Sequence, residues 1–383
     1  MQVRFYNSIE DIEPDTWNRL FGTDYPFTRH EFLLALEQHD CTTKKTGWQA
    51  HHALVFREEH AVAALPLFVK DHSYGEYIFD WSWADAYQRS GRNYYPKLLS
   101  AIPFTPATGP RLGFDKSVDS TIEQKPIIDA LINAIQDLAA DVNLSSWHIL
   151  YPDEETAQAF VCAGLPLRHS SQFHWFNDNY QTFEDFLATF NSRKRKALKK
   201  ERRRVEAQSV KLRLIEGSDI DANNWNNFYR FYQITYAKRS GHGGYLNKGF
   251  FQQIADSIPE HIVMALAERD GEAVAGALYF RSSDTLYGRY WGCTEEIDCL
   301  HFEACYYQGI EYCIRNGLKK FDPGAQGEHK IQRGFRPIKT FSNHWIADPD
   351  FSAAIEDFTV REAEHIDNYI HQASSYLPFK APP

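Results

Sequence analysis

The sequence predicts a mixed α/β protein made of two copies of one unit, with mostly antiparallel sheets flanked by helices. Three observations carry this. HHALVFREEHAVAALPLFVKDHSYGEYIFDW (51–81) reads strand, turn, strand, turn, strand, and HIVMALAERDGEAVAGALYFRSSDTLYGRYWGC (261–293) reads the same way; self-similar segments at matching places indicate duplication. Asp270-Gly271 is a type I′ hairpin signal, because both central residues of that turn need positive φ. Each repeat is flanked by stretches whose apolar residues recur at helical spacing. The 383 residues suit two domains, read as 1–170 and 171–383.

The elements follow in order. The first half gives a strand at 3–7, helices near 14–20 and 28–38, a three-stranded meander at 51–81, a helix at 123–140, a strand at 145–151 and a helix at 153–163. In the second half TFEDFLATF places Phe183, Phe186, Leu187 and Phe190 on one helical face, with Thr182 as N-cap. A second helix spans 192–208, with Ser192 as its cap. A strand at 211–217 and an aromatic-rich helix at 223–239 precede the second meander. After it, an amphipathic helix at 300–318 ends at Gly317, a natural residue for the position just past a helix. A strand at 319–324, a late strand at 341–348 and a closing helix at 350–374 complete the chain.

Composition narrows the function. Formal net charge is −10, which excludes a generic nucleic-acid binder. Nine of the twelve residues from Arg193 to Arg204 are nevertheless basic. The six cysteines have no C-x-x-C spacing and read as reduced thiols of a cytosolic protein. No apolar signal core opens the sequence, and the longest apolar run, 61–69, is far short of a membrane span. A cytoplasmic protein is expected, with at most peripheral membrane contact.

Several places carry candidate chemistry. In GRYWGCTEEIDCLHFEACYYQG (288–309) a strand ends in Arg289, Tyr290 and Trp291 and a helix opens with His301 and Glu303. Ligands gather at such strand-to-helix junctions, so His301 and Glu303 are candidates for a general base, against a reading as surface and first-turn residues. FDPGAQGEHKIQRGF (321–335) fails the Walker pattern, because His329 stands where its second glycine belongs. Gly327 still permits close backbone approach, and His329, Lys330 and Arg333 supply charge; the alternative is a plain turn. His301-x-Glu303 lacks the downstream P-C-x-x-C of zinc deaminases, and no metal is expected. The run holding Arg193, Lys194, Arg195 and Lys199 is either a solvated helix face or a phosphate contact. Asp80, Trp83, Asp85 and Tyr87, in an aromatic segment, suit a sugar or peptide groove or else a packed strand with a polar rim.

The order of elements resembles the GNAT acyltransferase fold, and its duplication resembles the Fem-type aminoacyltransferases of bacterial peptidoglycan assembly. FLATFNSRKRKALKKERRRVEAQSVKLRLIEG is similar to the Fem basic helix before a strand. LHFEACYYQGIEYCIRNGLKKFDPGAQGEHKIQRGF is similar to the Fem helix, strand, glycine-rich loop and lysine. SYGEYIFDWSWADAY, GRYWGC and GAQGEHK resemble FemAB-related N-acyltransferases of proteobacteria, over nearly the whole chain. The resemblance implies tandem GNAT-like domains and transfer of an aminoacyl or other acyl group to an amine, with aminoacyl-tRNA as donor and a nucleotide-linked, peptidoglycan-type acceptor. It places Glu303 or His301 as base, Lys330, Arg333 and the 193–204 helix on phosphates, and Asp80, Trp83 and Tyr87 in a groove. The R/Q-x-x-G-x-G/A loop of coenzyme A-dependent GNAT enzymes is absent. An acyl-CoA donor and a non-catalytic module recognising cell-wall precursors or RNA are the competing expectations.

Overall fold

The computed structural model describes residues 1–241, 243–325 and 327–380. Two compact units emerge: residues 1–171 with 339–369, and residues 172–338 with the chain from Ile370 onward.

In chain order the strands are β1 (Gln2–Tyr6), β2 (Gln49–Ala50), β3 (His52–Arg57), β4 (His60–Leu65), β5 (Phe68–Lys70), β6 (Lys97–Ser100), β7 (Gly113–Phe114), β8 (Ser146–Leu150), β9 (Leu167–Phe176), β10 (Val210–Glu216), β11 (Ile262–Arg269), β12 (Glu272–Arg281), β13 (Thr285–Cys293), β14 (Lys320–Asp322) and β15 (Arg336–Ile346). The helices are α1 (Pro14–Phe21), α2 (His30–Gln38), α3 (Trp81–Arg89), α4 (Thr121–Asp141), α5 (Glu154–Cys162), α6 (Phe183–Ala188), α7 (Ser192–Ala207), α8 (Ala222–Ser240) and α9 (Lys248–Ser257). Next comes α10, built from Leu300–Phe302, a π turn at Glu303–Tyr307 and Gln308–Arg315, and last α11 (Pro349–Ser375).

In the first unit β1, β3, β4 and β7 form an antiparallel sheet. A second group runs β15-β8-β6-β5-β2, with β6 and β8 parallel. Ile127, Ile128, Leu131 and Ile135 recur at helical spacing along α4 and join Val55, Val62, Trp147 and Phe160 in one buried cluster. The three-stranded meander expected at 51–81 does not form. β3 and β4 make a hairpin, but β5 pairs with β2 and β6 instead of β4. Pro66 stands between β4 and β5 and has no N–H to continue a ladder. The segment read as the third strand's continuation becomes a loop, with Gly75 and Tyr77 at positive φ, and then α3.

In the second unit the order is β10-β11-β12-β13-β14-β9, antiparallel except for β13 beside β14. Asp270 (φ +54°) and Gly271 (φ +85°) turn β11 into β12, as the sequence predicts. α8 lies directly on β13: a Cβ at Gly292 would sit 2.2 Å from the backbone of Phe231. That contact also lets Thr235 Oγ1 accept the Cys293 N–H at 3.3 Å. Thr182 caps α6 in a reciprocal capping box with Asp185. The cap of α7 is Asn191, not Ser192: its side chain accepts the Lys194 N–H at 3.0 Å, while Ser192 is the first helical residue.

Replacing Asn191 with Ala is expected to destabilise the protein by about 1 kcal/mol, the typical worth of a side-chain cap. Ser192→Ala should stay within about 0.5 kcal/mol. Urea midpoints of both variants check the assignment.

Candidate active site in the second unit

The site begins with unequal strands. β13 and β14 share three parallel pairs, the last being Tyr287↔Asp322. β14 ends there, because Pro323 removes a donor and Gly324 (φ +94°) turns the chain. β13 continues to Cys293, and beyond Tyr287 this edge has no strand partner among the described residues.

Arg289 and Asp322 stand at the point of divergence. Arg289 Nη2 donates to Asp322 Oδ2 at 2.7 Å, with both side chains buried. The Gly324 N–H donates to Oδ1 at 2.9 Å, and His174 Nε2 lies 3.5 Å from the same oxygen. Burial alone would raise the Asp322 pKa, but Arg289 and then His174 overcome it and hold the carboxyl well below its usual range.

Lys330 sits in a short 3₁₀ turn, Glu328–Arg333, which starts after Gly327. Gly327 has φ +119°, and a Cβ there would lie 2.4 Å from the His329 ring, so only glycine lets the loop fold back in this way. Lys330 Nζ is buried and donates to the Gly324 carbonyl at 2.7 Å. Burial brings its pKa down to about 7; the attraction of Asp322 opposes the shift and the repulsion of Arg289 adds to it. The amine is therefore poised between two protonation states at neutrality.

Around it lies a ring cluster. His301 packs edge-on against Trp291 and Tyr306, each at 5.5 Å between centroids, and His329 lies 6.4 Å away. Tyr306 OH and His329 Nε2 are hydrogen-bonded at 2.9 Å. Burial lowers the His301 pKa to about 4, with Arg239, His329, Arg333 and Lys330 lowering it further. His301 is thus a neutral imidazole at physiological pH, and its ring makes no hydrogen bond among the described residues. Such a group can accept a proton.

The structure sorts the other candidates. Arg333 lies over Phe302 at 3.4 Å and donates to Glu201 Oε1 (2.8 Å), the Tyr307 hydroxyl (3.0 Å) and the His329 carbonyl (2.8 Å), which fixes the turn holding Lys330. Glu303 is buried and accepts two bonds from Arg202 (3.0 and 2.8 Å) and one from Gln308 (2.8 Å). It begins the π turn, in which the Tyr279 hydroxyl donates to the Ala304 carbonyl; π turns recur at functional sites. Tyr290 points into the core against Tyr232, Phe251 and Phe280. Of the sequence candidates, Trp291, His301, His329 and Arg333 therefore form one cluster, beside Arg289 and Lys330.

The basic helix α7 divides by side. Lys194 donates to Gln332, Lys199 to Glu184 at 2.6 Å, and Arg204 to Asp298 at 3.1 Å. Arg193, Lys196, Lys200 and Arg203 are exposed and make no ion pair among the described residues. Their i, i+3, i+7, i+10 spacing forms one stripe opposite buried Leu198 and Val205. Arg195, which also makes no ion pair among the described residues, lies off this stripe. At the start of α10, Glu295 pairs with Arg269 and Asp298 with Arg204. Carboxylates surround that helix end, which makes it a poor cradle for a pyrophosphate.

In the first unit, Asp80 accepts from Lys97 and from Tyr94 OH (2.5 Å). Trp83 is buried against His344 at 4.9 Å, Tyr87 stacks on Phe351 at 3.9 Å, and exposed Asp85 pairs with Arg89. Asp80, Trp83 and Tyr87 thus belong to the interior of this unit. Sequence reasoning missed Asp322, His174, Arg202, Glu201, Arg239 and Tyr306. Asp322 lies inside the FDPG turn, Tyr306 inside the 288–309 segment, and Glu201 and Arg202 inside the 193–204 run that the sequence singles out; His174 and Arg239 carry no local signal.

A family model described as FemAB-like, peptidoglycan biosynthesis/recognition, matches residues 8–381. No curated protein matches the sequence. The crystal structure of FemX superposes with a TM-score of 0.51 at 13% identity, covering 93% of this chain and 100% of FemX. A conserved protein of unknown function from Bacteroides thetaiotaomicron gives 0.50 at 10% identity, covering 89% and 99%. A tandem GNAT protein from the clavulanic acid pathway gives 0.45 at 10% identity, covering 91% and 99%. The mixed α/β fold class expected from the sequence holds, and the likeness to FemX is one of fold.

Asp322→Asn is expected to cost about 3–5 kcal/mol, because it leaves the Arg289 charge buried without its counter-ion. Chemical denaturation measures this, and Asp85→Asn, in an exposed pair, should cost about 1 kcal/mol or less.

Proposed function

Because the chain belongs to the FemAB-like family, we propose that its second unit transfers an acyl group, in particular an aminoacyl group, from an ester donor to an amine of a nucleotide-linked, peptidoglycan-type acceptor. The observation that carries this reading is the divergence of β13 from β14, with buried Lys330 and neutral His301 beside it. The amine nitrogen attacks the ester carbonyl carbon and the carbonyl oxygen gains negative charge. His301 takes the proton leaving the nitrogen, which is worth roughly 10²–10⁴ in rate. Protonated Lys330 stabilises the oxyanion, and removal of one such group costs about 10²–10³. When the tetrahedral species collapses, the C–O bond to the donor breaks and the alkoxide leaves with the proton that His301 took from the nitrogen.

Two features favour an aminoacyl-tRNA donor over acyl-coenzyme A. Carboxylates surround the start of α10, where a pyrophosphate would need bare N–H groups. The cation stripe on α7 suits a run of phosphates. Arg239, whose charge reaches His301 and Tyr306, supplies a further anion contact near the site.

The pH dependence follows from the two groups. His301 is deprotonated above about pH 4, and Lys330 loses its proton near pH 7. Activity is expected to hold on the acid side of neutrality and to fall as pH rises through about 7. Lys330→Met should remove that alkaline limb and lower kcat by about 10²–10³; His301→Ala should lower kcat by about 10²–10⁴. The assay follows a labelled aminoacyl group from aminoacyl-tRNA to a uridine diphosphate-linked muropeptide. Transfer from acetyl-coenzyme A with none from aminoacyl-tRNA would overturn the donor assignment.

A further inference from the structure

The loop Asp71–Asp80, between β5 and α3 of the first unit, combines two properties that rarely occur together. It shows large aromatic rings to solvent, and it is fastened from beneath by buried charge. Among the described residues, four aromatic side chains are strongly exposed: Tyr74 (59%), Phe79 (50%), Trp81 (42%) and Tyr376 (65%). Three of the four fall within this loop and the first residue of α3. Exposed rings grouped in this way make an apolar patch, and such patches mark binding sites.

The fastening is Lys97, the first residue of β6, which is fully buried. Its ammonium donates to Ser73 Oγ (2.9 Å), Glu76 Oε2 (2.8 Å) and Asp80 Oδ2, three contacts spread along the loop. Tyr94 OH holds Asp80 from a second side at 2.5 Å, and Tyr95 OH lies 2.8 Å from Ser73 Oγ. Lys70, at the loop's other end, is buried 3.8 Å above the Trp48 ring. Breaking such a buried cluster is costly, so the rings above are held in place before any partner arrives.

The geometry of the rings selects among partners. Tyr74 lies 5.3 Å from Trp81 with the planes inclined by 60°, and 5.2 Å from His72 inclined by 67°. Inclined faces form a shallow V that meets the C–H face of a puckered ring, whereas a flat nucleobase stacks on a parallel plane. The charges argue in the same direction. From residue 70 to residue 97 the cations are Lys70 and Lys97, both buried, and Arg89 and Arg92, both paired with carboxylates. This stretch of chain itself therefore offers no free cation to phosphates or to anionic lipid headgroups. Asp71, whose exposed carboxylate lies 3.8 Å from His72 Nε2, and the Tyr74 hydroxyl can bond hydroxyl groups.

We propose that Tyr74, Phe79 and Trp81 form a saccharide-binding platform on the first unit, held rigid by the Lys97 cluster. The proposal does not rest on acyl transfer; the platform would anchor a glycan whatever chemistry the second unit performs. Rigid presentation means that little ordering cost is left at binding.

The test uses the full-length protein and tetrasaccharides of N-acetylglucosamine, glucose and mannose, followed by tryptophan fluorescence and calorimetry. At least one of them should bind, and Trp81→Ala and Tyr74→Ala should each weaken it by about tenfold. Both residues are exposed, so these variants should melt as the wild type does. Tyr376→Ala, an exposed ring elsewhere, should bind normally. The proposal falls if no tetrasaccharide binds at millimolar concentration or if both platform variants bind like the wild type. It also falls if the three rings instead drive sedimentation with phosphatidylcholine vesicles, which would assign the surface to a membrane.

Discussion

The buried ion pair between Arg289 and Asp322 is the constraint on which the second unit's site depends. Asp322 closes the last pairing between β13 and β14, and its carboxylate accepts from Arg289 and from the Gly324 amide. The same residue therefore ends a strand, steadies the turn that follows and sets the charge next to Lys330. Without that negative charge the repulsion between Arg289 and Lys330 would stand uncompensated. Taking charges out of water is expensive, and pairing one arginine with one aspartate leaves the lysine as the group whose protonation can change.

Two buried lysines, one in each unit, are used in opposite ways. Lys97 has two carboxylates; burial pulls its pKa down, but Glu76 and Asp80 more than reverse this, so it stays charged and serves as a fastener. Lys330 has a carbonyl as its direct partner and only a shared, already paired carboxylate nearby, so burial prevails. A lysine that stays charged holds a loop. A lysine that exchanges its proton near neutrality can serve chemistry.

Much of the fold was legible because its signals are local. Asp270-Gly271 needs only two residues to specify a turn, and the Thr182 capping box needs four. The helices at 123–140 and 300–318 follow from spacing alone. The errors arose where a choice is made at a distance or between equals. Asn191 and Ser192 are both good caps, and backbone geometry chose the former. β5 left the expected meander for partners separated from it in sequence. Strand β9, with its polar residues, was passed over as a boundary. In the site, the aromatic and cationic types near 289–335 were readable, but their bonds were not. Arg202 reaches Glu303 and Arg333 reaches Glu201 across more than a hundred residues. Hence the run at 193–204 looked like one uniform patch, whereas the fold employs part of it internally and leaves a four-cation stripe outside.

The pH dependence proposed for the second unit requires that Lys330 exchange its proton near neutrality because it is buried beside the Arg289–Asp322 pair. The direct measurement is a pH titration of the Lys330 side chain by nuclear magnetic resonance in lysine-labelled protein, with the resonance assigned by Lys330→Arg. A midpoint near pH 7 is expected. A midpoint near 10.4, the value of a lysine in water, would contradict it.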